Sequence, residues 1–147
     1  MSDLIIKRRV LPHWTIDGAW YYLTFCTRWG ILCREEQILV RDHIKSGHSR
    51  FYRLIAVSVM PDHVHVVLCP NDGGSLSRIL QGIKGASARF INLKRNSTGP
   101  IWQNESWDRI IRNDADLQQK LGYMLMNPVE EGLVEDPWAY HGWYRQE

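Results

Sequence analysis

The stretch Tyr52-Arg53-Leu54-Ile55-Ala56-Val57-Ser58-Val59-Met60-Pro61-Asp62-His63-Val64-His65-Val66-Val67-Leu68-Cys69 consists of two apolar, β-branched runs separated by three residues. Pro61 and Asp62 supply turn chemistry, because proline presets one backbone torsion and an aspartate side chain can hydrogen-bond its own backbone two residues on. The pattern predicts a hairpin of two strands, Tyr52 to Val59 and His63 to Cys69. It also contains His63-Val64-His65. Residues two apart on a strand share a face, so both imidazoles point the same way, and neutral imidazole is a common ligand for divalent ions. Alone, such a pair equally describes two polar residues on a solvated strand face. A third ligand decides between the two readings.

Working outward, Trp20 to Thr27 is aromatic and β-branched and reads as a first strand, preceded by the turn-like Asp17-Gly18. Glu35 to about Ser46 sets Ile38, Leu39, Val40 and Ile44 at helical spacing, with Gly47 as the stop. After the loop Pro70-Asn71-Asp72-Gly73-Gly74, Ser75 is placed to cap a helix. In that helix Leu76, Ile79, Leu80, Ile83, Ser87 and Phe90 share one face, with Arg78 and Arg89 on the other side. The segment Asn96-Ser97-Thr98-Gly99-Pro100 ends it, and Ser106 to Ile111 follows as a short strand. Asn113 then caps a last helix whose apolar stripe is Leu117, Leu121, Met124 and Leu125, ended by Pro128 and Gly132.

This order implies an α+β fold, a ferredoxin-like or RRM-like βαββαβ antiparallel sheet with an additional C-terminal tyrosine-bearing helix. Such a sheet carries its helices on one face and leaves the other available. The last helix repeats the argument made for the histidines, since Tyr123 and Asn127 are four residues apart and stack on one side. At about 100° per residue, Tyr123, Asn127, Lys120 and Asp116 cluster away from Leu117, Leu121 and Met124, giving a polar stripe that bears a phenol.

At 147 residues, 44% hydrophobic and 23% charged, the chain fits one globular domain spanning 1–147. No apolar run approaches the roughly 20 residues of a membrane span, and Met1 to Arg9 lacks a signal peptide's apolar region, so a cytoplasmic location is expected. Cys26, Cys33 and Cys69 are odd in number and scattered, which favours buried thiols over a disulfide framework or a structural zinc. Residues 1–112 carry 16 Lys and Arg against 9 Asp and Glu, and 113–147 carry 2 against 7. The basic body favours a polyanionic partner.

Three local sequences combine into a resemblance. Met60-Pro61-Asp62-His63-Val64-His65-Val66-Val67-Leu68, then Ile101-Trp102-Gln103 with Trp107-Asp108-Arg109-Ile110-Ile111-Arg112, then Tyr123-Met124-Leu125-Met126-Asn127-Pro128-Val129-Glu130-Glu131-Gly132-Leu133-Val134 occur in that order. Together they resemble the single-tyrosine HUH transposases, and most closely the REP-associated tyrosine transposases, from about Trp20 to Trp138. The resemblance implies a Mg²⁺ or Mn²⁺ ion held by His63, His65 and Asn127, and a nucleophile at Tyr123 that takes the 5′ end of a cut strand as a phosphotyrosine. It further implies a partner of single-stranded DNA beside a palindromic hairpin, with the protein nucleoid-associated when bound. Monomer and homodimer both stay open.

Lys84, Arg89, Lys94 and Arg95 on the second long helix, with Arg109 and Arg112, are candidates to follow phosphates, and Trp102 and Trp107 to stack on bases. Lys120, one turn before Tyr123, is a candidate to steady a phenolate. Glu130-Glu131 departs from the basic or small residues often found after the Asn-Pro-Val motif and argues against DNA contact there. Gly122, before the tyrosine, costs a helix interior about 1 kcal/mol relative to alanine. Two other classes fit parts of this pattern. One is a noncatalytic nucleic-acid-binding module, although aromatic RNP motifs are not evident. The other is a metal-dependent phosphohydrolase with water as nucleophile.

Overall fold

A computed structural model describes residues 18–147, so Asp17 of the expected turn and the segment Met1 to Arg9 lie outside the described residues. Along the chain run β1 (Tyr21–Cys26), α1 (Arg34–Ser46), β2 (Tyr52–Val59), β3 (His63–Pro70), α2 (Leu76–Arg95), β4 (Trp107–Ile110), α3 (Asp114–Glu130), a 3-10 turn (Pro137–Ala139) and β5 (Trp143–Arg145). The sheet order is β4-β1-β3-β2-β5, with every neighbouring pair antiparallel. The first four strands realise the expected ferredoxin-like sheet. The fifth, Trp143–Arg145, is an addition the sequence reading did not anticipate. It pairs with β2 on a backbone approach that only glycine allows, because a side chain at Gly142 would run into the Val59 carbonyl.

Alternation along the strands separates two cores. Leu23, Phe25, Leu54, Val57, Val64, Val66 and Leu68 pack with α1 and α2 on one face, against Val40, Ile44, Ile83 and Ile91. The second face is not left open. Trp20, Ile55, Ala56, Val67 and Cys69 are apolar there and lie under Leu117, Leu121 and Met124 of α3. Apolar side chains on both faces of β2 and β3 require cover on both, which is why these strands read as nearly continuous hydrophobic runs. A register shift between Leu54 and Ala56 turns Ile55 and Ala56 toward the same side, as a β-bulge does.

The caps follow the sequence. Ser75 Oγ accepts from Arg78 N. Asn113 Oδ1 accepts from Asp116 N at 2.8 Å, while Asp116 Oδ2 accepts from Arg112 N at 3.0 Å, a reciprocal arrangement that satisfies donors the helix cannot. Buried Glu36 ties the start of α1 to the end of α2: its carboxylate accepts from Cys33 N at 2.8 Å and from Arg95 Nε at 2.6 Å.

Several expectations are corrected. Phe90 is exposed and Ile91 takes its place in the core, because residues three and four after Ser87 fit the stripe almost equally and the helix phase selects the second. Pro128 lies inside α3 rather than ending it. In the last turn it forfeits one backbone bond, and the helix closes beyond it through Leu133 N to Pro128 O and Gly132 N to Val129 O, with Gly132 at φ 75°, a glycine C-terminal motif. Of the cysteines only Cys69 is buried, Cys33 being exposed and Cys26 intermediate. Among the described residues no helix is long and apolar enough to cross a membrane.

Candidate active site

His63 and His65 lie on the α3 face of the central strand, their ring centroids 4.7 Å apart and their planes at 76°. The β1 register places Cys26 opposite His63 and Thr24 opposite His65, so alternate β1 residues Tyr22, Thr24 and Cys26 share that face. His63 Nδ1 is 2.7 Å from Asp62 Oδ1. His65 is buried, and its Nδ1 lies 2.9 Å from Tyr22 Oη and 3.0 Å from Thr24 Oγ1. Burial, with His63 adding to it, pushes the His65 imidazole down to about 3. That ring is neutral near pH 7 and keeps a lone pair available.

Helix α3 crosses the sheet so that its polar stripe meets this strip. The stripe does not face solvent throughout, because Asn127 and Asp116 are buried. Asn127 Nδ2 is 3.3 Å from His63 Nε2 and 3.4 Å from His65 Nε2. One turn earlier, Tyr123 is 53% exposed and sets its ring edge-on to His65 at 5.5 Å. Lys120 bonds Asp116 Oδ1 at 3.2 Å and lies 5.9 Å from the centre of the Tyr22 ring, so its charge is shared between a carboxylate and that second phenol.

The donor set fits a divalent ion. Among the described residues no group of three or more His, Cys, Asp and Glu is placed to hold a metal, so the candidate is a pair of imidazoles completed by an amide. Bonds of about 2.1 Å put neighbouring ligands of an octahedral ion about 3 Å apart, close to the spacing between Asn127 and each Nε2. The amide need only turn over to present its oxygen, since its two ends are alike in shape. Neutral imidazoles and an amide bring no negative charge, so an ion held by them would keep its full charge for a phosphate.

The candidate nucleic-acid residues divide. Trp107 and Arg109 are exposed on β4 and pair with Thr24 and Tyr22, on the same face as the histidines. Arg89 and Lys94 are exposed on α2, and Arg112, 81% exposed in its side chain, stands 3.9 Å from Asp116. Trp102 is corrected: it is 4% exposed, packs edge-on to Phe25 at 4.8 Å and donates its Nε1–H to Ser87 Oγ at 2.9 Å, so it is core and offers no stacking surface. Lys84 Nζ donates to Gln103 O at 2.7 Å, Asn104 O at 3.2 Å and Ser106 Oγ at 3.0 Å. It therefore binds the loop leading into β4 in place of a phosphate. Arg95 is likewise committed to Glu36.

Tyr22, Thr24 and Asp62 were not singled out from the sequence, yet each touches a histidine nitrogen. Asp62 was legible as the neighbour of His63. Tyr22 and Thr24 become visible only through the pairing of strands about forty residues apart. Burial, followed by repulsion from Tyr123, pushes the Tyr22 phenol up to about 12, which keeps it protonated beside the more exposed tyrosine.

Residues 21–110 match the family described as Transposase IS200 like, a span that includes both histidines and stops short of α3. The chain is 31% identical over 149 residues to a Haemophilus influenzae protein assigned by name to the REP-associated tyrosine transposases, covering 87% of this chain and 81% of that one. It is 27% identical over 133 residues to the REP-associated tyrosine transposase of Escherichia coli K12, covering 87% and 78%. In architecture it resembles a REP-associated tyrosine transposase solved bound to a REP hairpin, with a TM-score of 0.68 and 23% identity over 88% of this chain and 78% of that one.

Proposed function

Because the chain belongs to the IS200-like transposase family, we propose that it nicks and rejoins single-stranded DNA beside a hairpin, with Tyr123 as nucleophile and a Mg²⁺ or Mn²⁺ ion held by His63, His65 and Asn127. The observation that carries this reading is the meeting of both Nε2 atoms with the Asn127 amide, at 3.3 and 3.4 Å, beside the ring of Tyr123. The hairpin enters from the structural likeness to a REP-associated tyrosine transposase solved bound to a REP hairpin.

In the step proposed, Tyr123 Oη bonds to the phosphorus of a phosphodiester and the bond to the 3′ oxygen breaks. The proton lost by the phenol is balanced by the one gained at the freed 3′-hydroxyl. The 5′ end stays on Tyr123 as a phosphodiester, so a second 3′-hydroxyl can reverse the step without an outside energy source. An ion held by His63, His65 and Asn127 would supply polarisation of a nonbridging oxygen and charge neutralisation. Rigid placement of His63 and His65 on the central strand orients the phosphate, and Tyr123, half exposed on the rim, can reach it from α3. Trp107 and Arg109 on the edge strand β4, separated from β3 by β1, offer a stacking surface and a cation for the flanking strand.

The test is incubation of the protein and Mn²⁺ with hairpin-flanked single-stranded DNA. The expected outcome is cleavage with a protein–DNA adduct that survives denaturation, absent in Tyr123→Phe. Binding without cutting would point to a noncatalytic module. Cutting that persists in Tyr123→Phe would point to hydrolysis by water.

A further inference from the structure

We infer that Tyr22 and Thr24 are positioning residues that hold the His65 imidazole in its Nδ1–H tautomer, so that its Nε2 lone pair faces the point shared with His63 and Asn127. The functional consequence rests on the metal-site reading above; the tautomer itself does not.

The inference follows from the donors and acceptors around the two rings. Asp62 presents a carboxylate oxygen to His63 Nδ1 at 2.7 Å. A carboxylate can only accept, so neutral His63 carries its proton on Nδ1 and leaves Nε2 bare. The Asn127 amide then couples this choice to the second ring, because one and the same atom lies 3.3 Å from His63 Nε2 and 3.4 Å from His65 Nε2. An amide NH₂ only donates and an amide oxygen only accepts. Both Nε2 atoms must therefore be alike, and with His63 fixed both are lone pairs facing the NH₂ group. His65 carries its proton on Nδ1.

That proton needs an acceptor in a buried place, and among the described residues the groups within hydrogen-bond distance of His65 Nδ1 are hydroxyls, not a carboxylate. Tyr22 Oη and Thr24 Oγ1, at 2.9 and 3.0 Å, share it. The Tyr22 and His65 rings also stack, with centroids 5.4 Å apart and planes 12° from parallel. Two hydroxyls thus do for the buried histidine what Asp62 does for the partly buried one, without adding a negative charge beside the ligand set. Partners of this kind orient metal-binding histidines and fix their tautomer.

The test is two-bond ¹H–¹⁵N correlation of the histidine rings in the metal-free chain at neutral pH, followed by Mn²⁺ titration. The expected spectrum has His65 protonated on Nδ1. In Tyr22→Phe/Thr24→Val the Nδ1–H population should fall and Mn²⁺ affinity drop ~10–100-fold, and Thr24→Ser in the Tyr22→Phe background should recover most of the loss. A wild-type spectrum with His65 protonated on Nε2 overturns the inference even if the double variant does not fold. Unchanged Mn²⁺ affinity in a folded double variant overturns it as well. A wild-type chain with the Nδ1–H form that binds no Mn²⁺ supports the tautomer assignment and removes the metal reading.

Discussion

Asn127 places its side-chain amide 3.4 Å from Nε2 of His65 although 62 residues separate them, so the last helix and the central strand meet at one polar point under an otherwise apolar contact. The apolar part of that contact, Leu117, Leu121 and Met124 over Val67 and Cys69, fixes how α3 lies. The polar part inherits its precision from it.

Removing the amide should separate these roles. Asn127→Ala leaves both imidazoles without their shared neighbour, and loss of Mn²⁺ affinity should be at least the ~10–100-fold typical of losing an outer partner of a ligand. Asn127→Asp replaces a neutral donor with an anion and should bind Mn²⁺ more tightly than wild type. Calorimetric titration of the two variants checks both directions; equal affinity for wild type and Asn127→Ala would remove Asn127 from the ligand set.

The two tryptophans should behave oppositely. Trp102→Ala vacates a core site and removes the hydrogen bond that Ser87 Oγ accepts, and is expected to cost about 3–5 kcal/mol in chemical denaturation. Trp107→Ala removes an exposed ring and should change stability by less than about 0.5 kcal/mol. It should weaken single-stranded DNA binding by about 1–3 kcal/mol if a base stacks there. Equal losses of stability in the two variants would contradict this division.

Acid should lower the stability of the chain through two overlapping windows. His65 is held neutral by burial down to about 3, whereas an unfolded imidazole protonates near 6.5. Between these values the unfolded state binds the extra proton, so stability falls as pH falls through this window. Glu36 is held down to about 2, chiefly by its hydrogen bond from Arg95, against about 4.5 without such partners. Its contribution is present above that value and is lost as pH drops toward about 2. Glu36→Gln should flatten the pH dependence of stability below 4.5 and leave the slope between 4.5 and 6.5 in place. Urea denaturation across pH 3–7 measures both.

Much of this arrangement is readable in the sequence. The β2–β3 hairpin was legible because Met60-Pro61-Asp62 bounds two unambiguous runs, and its turn closes with Met60 N on His63 O. Tyr123 and Asn127 were legible as neighbours because a helix fixes residues four apart. What escaped depends on distant pairing or on phase. The part played by Tyr22 and Thr24 requires the β1–β3 register, which no local pattern encodes. β5 has three residues and no alternation to detect. Trp102 stands in a loop, where a single aromatic residue carries no period to say whether it faces a core. The cover of α3 over the sheet was implicit in the apolar residues on both faces of β2 and β3.

The central claim is that the phenol of Tyr123 becomes bonded to DNA, and it is tested most directly by mapping the covalent product. After reaction with hairpin-flanked single-stranded DNA and Mn²⁺, nuclease trimming and proteolysis should leave one peptide heavier by a nucleotide, with tandem mass spectra placing the added mass on Tyr123. An added mass on Tyr22, or cleaved DNA with every tyrosine unmodified, would contradict the account.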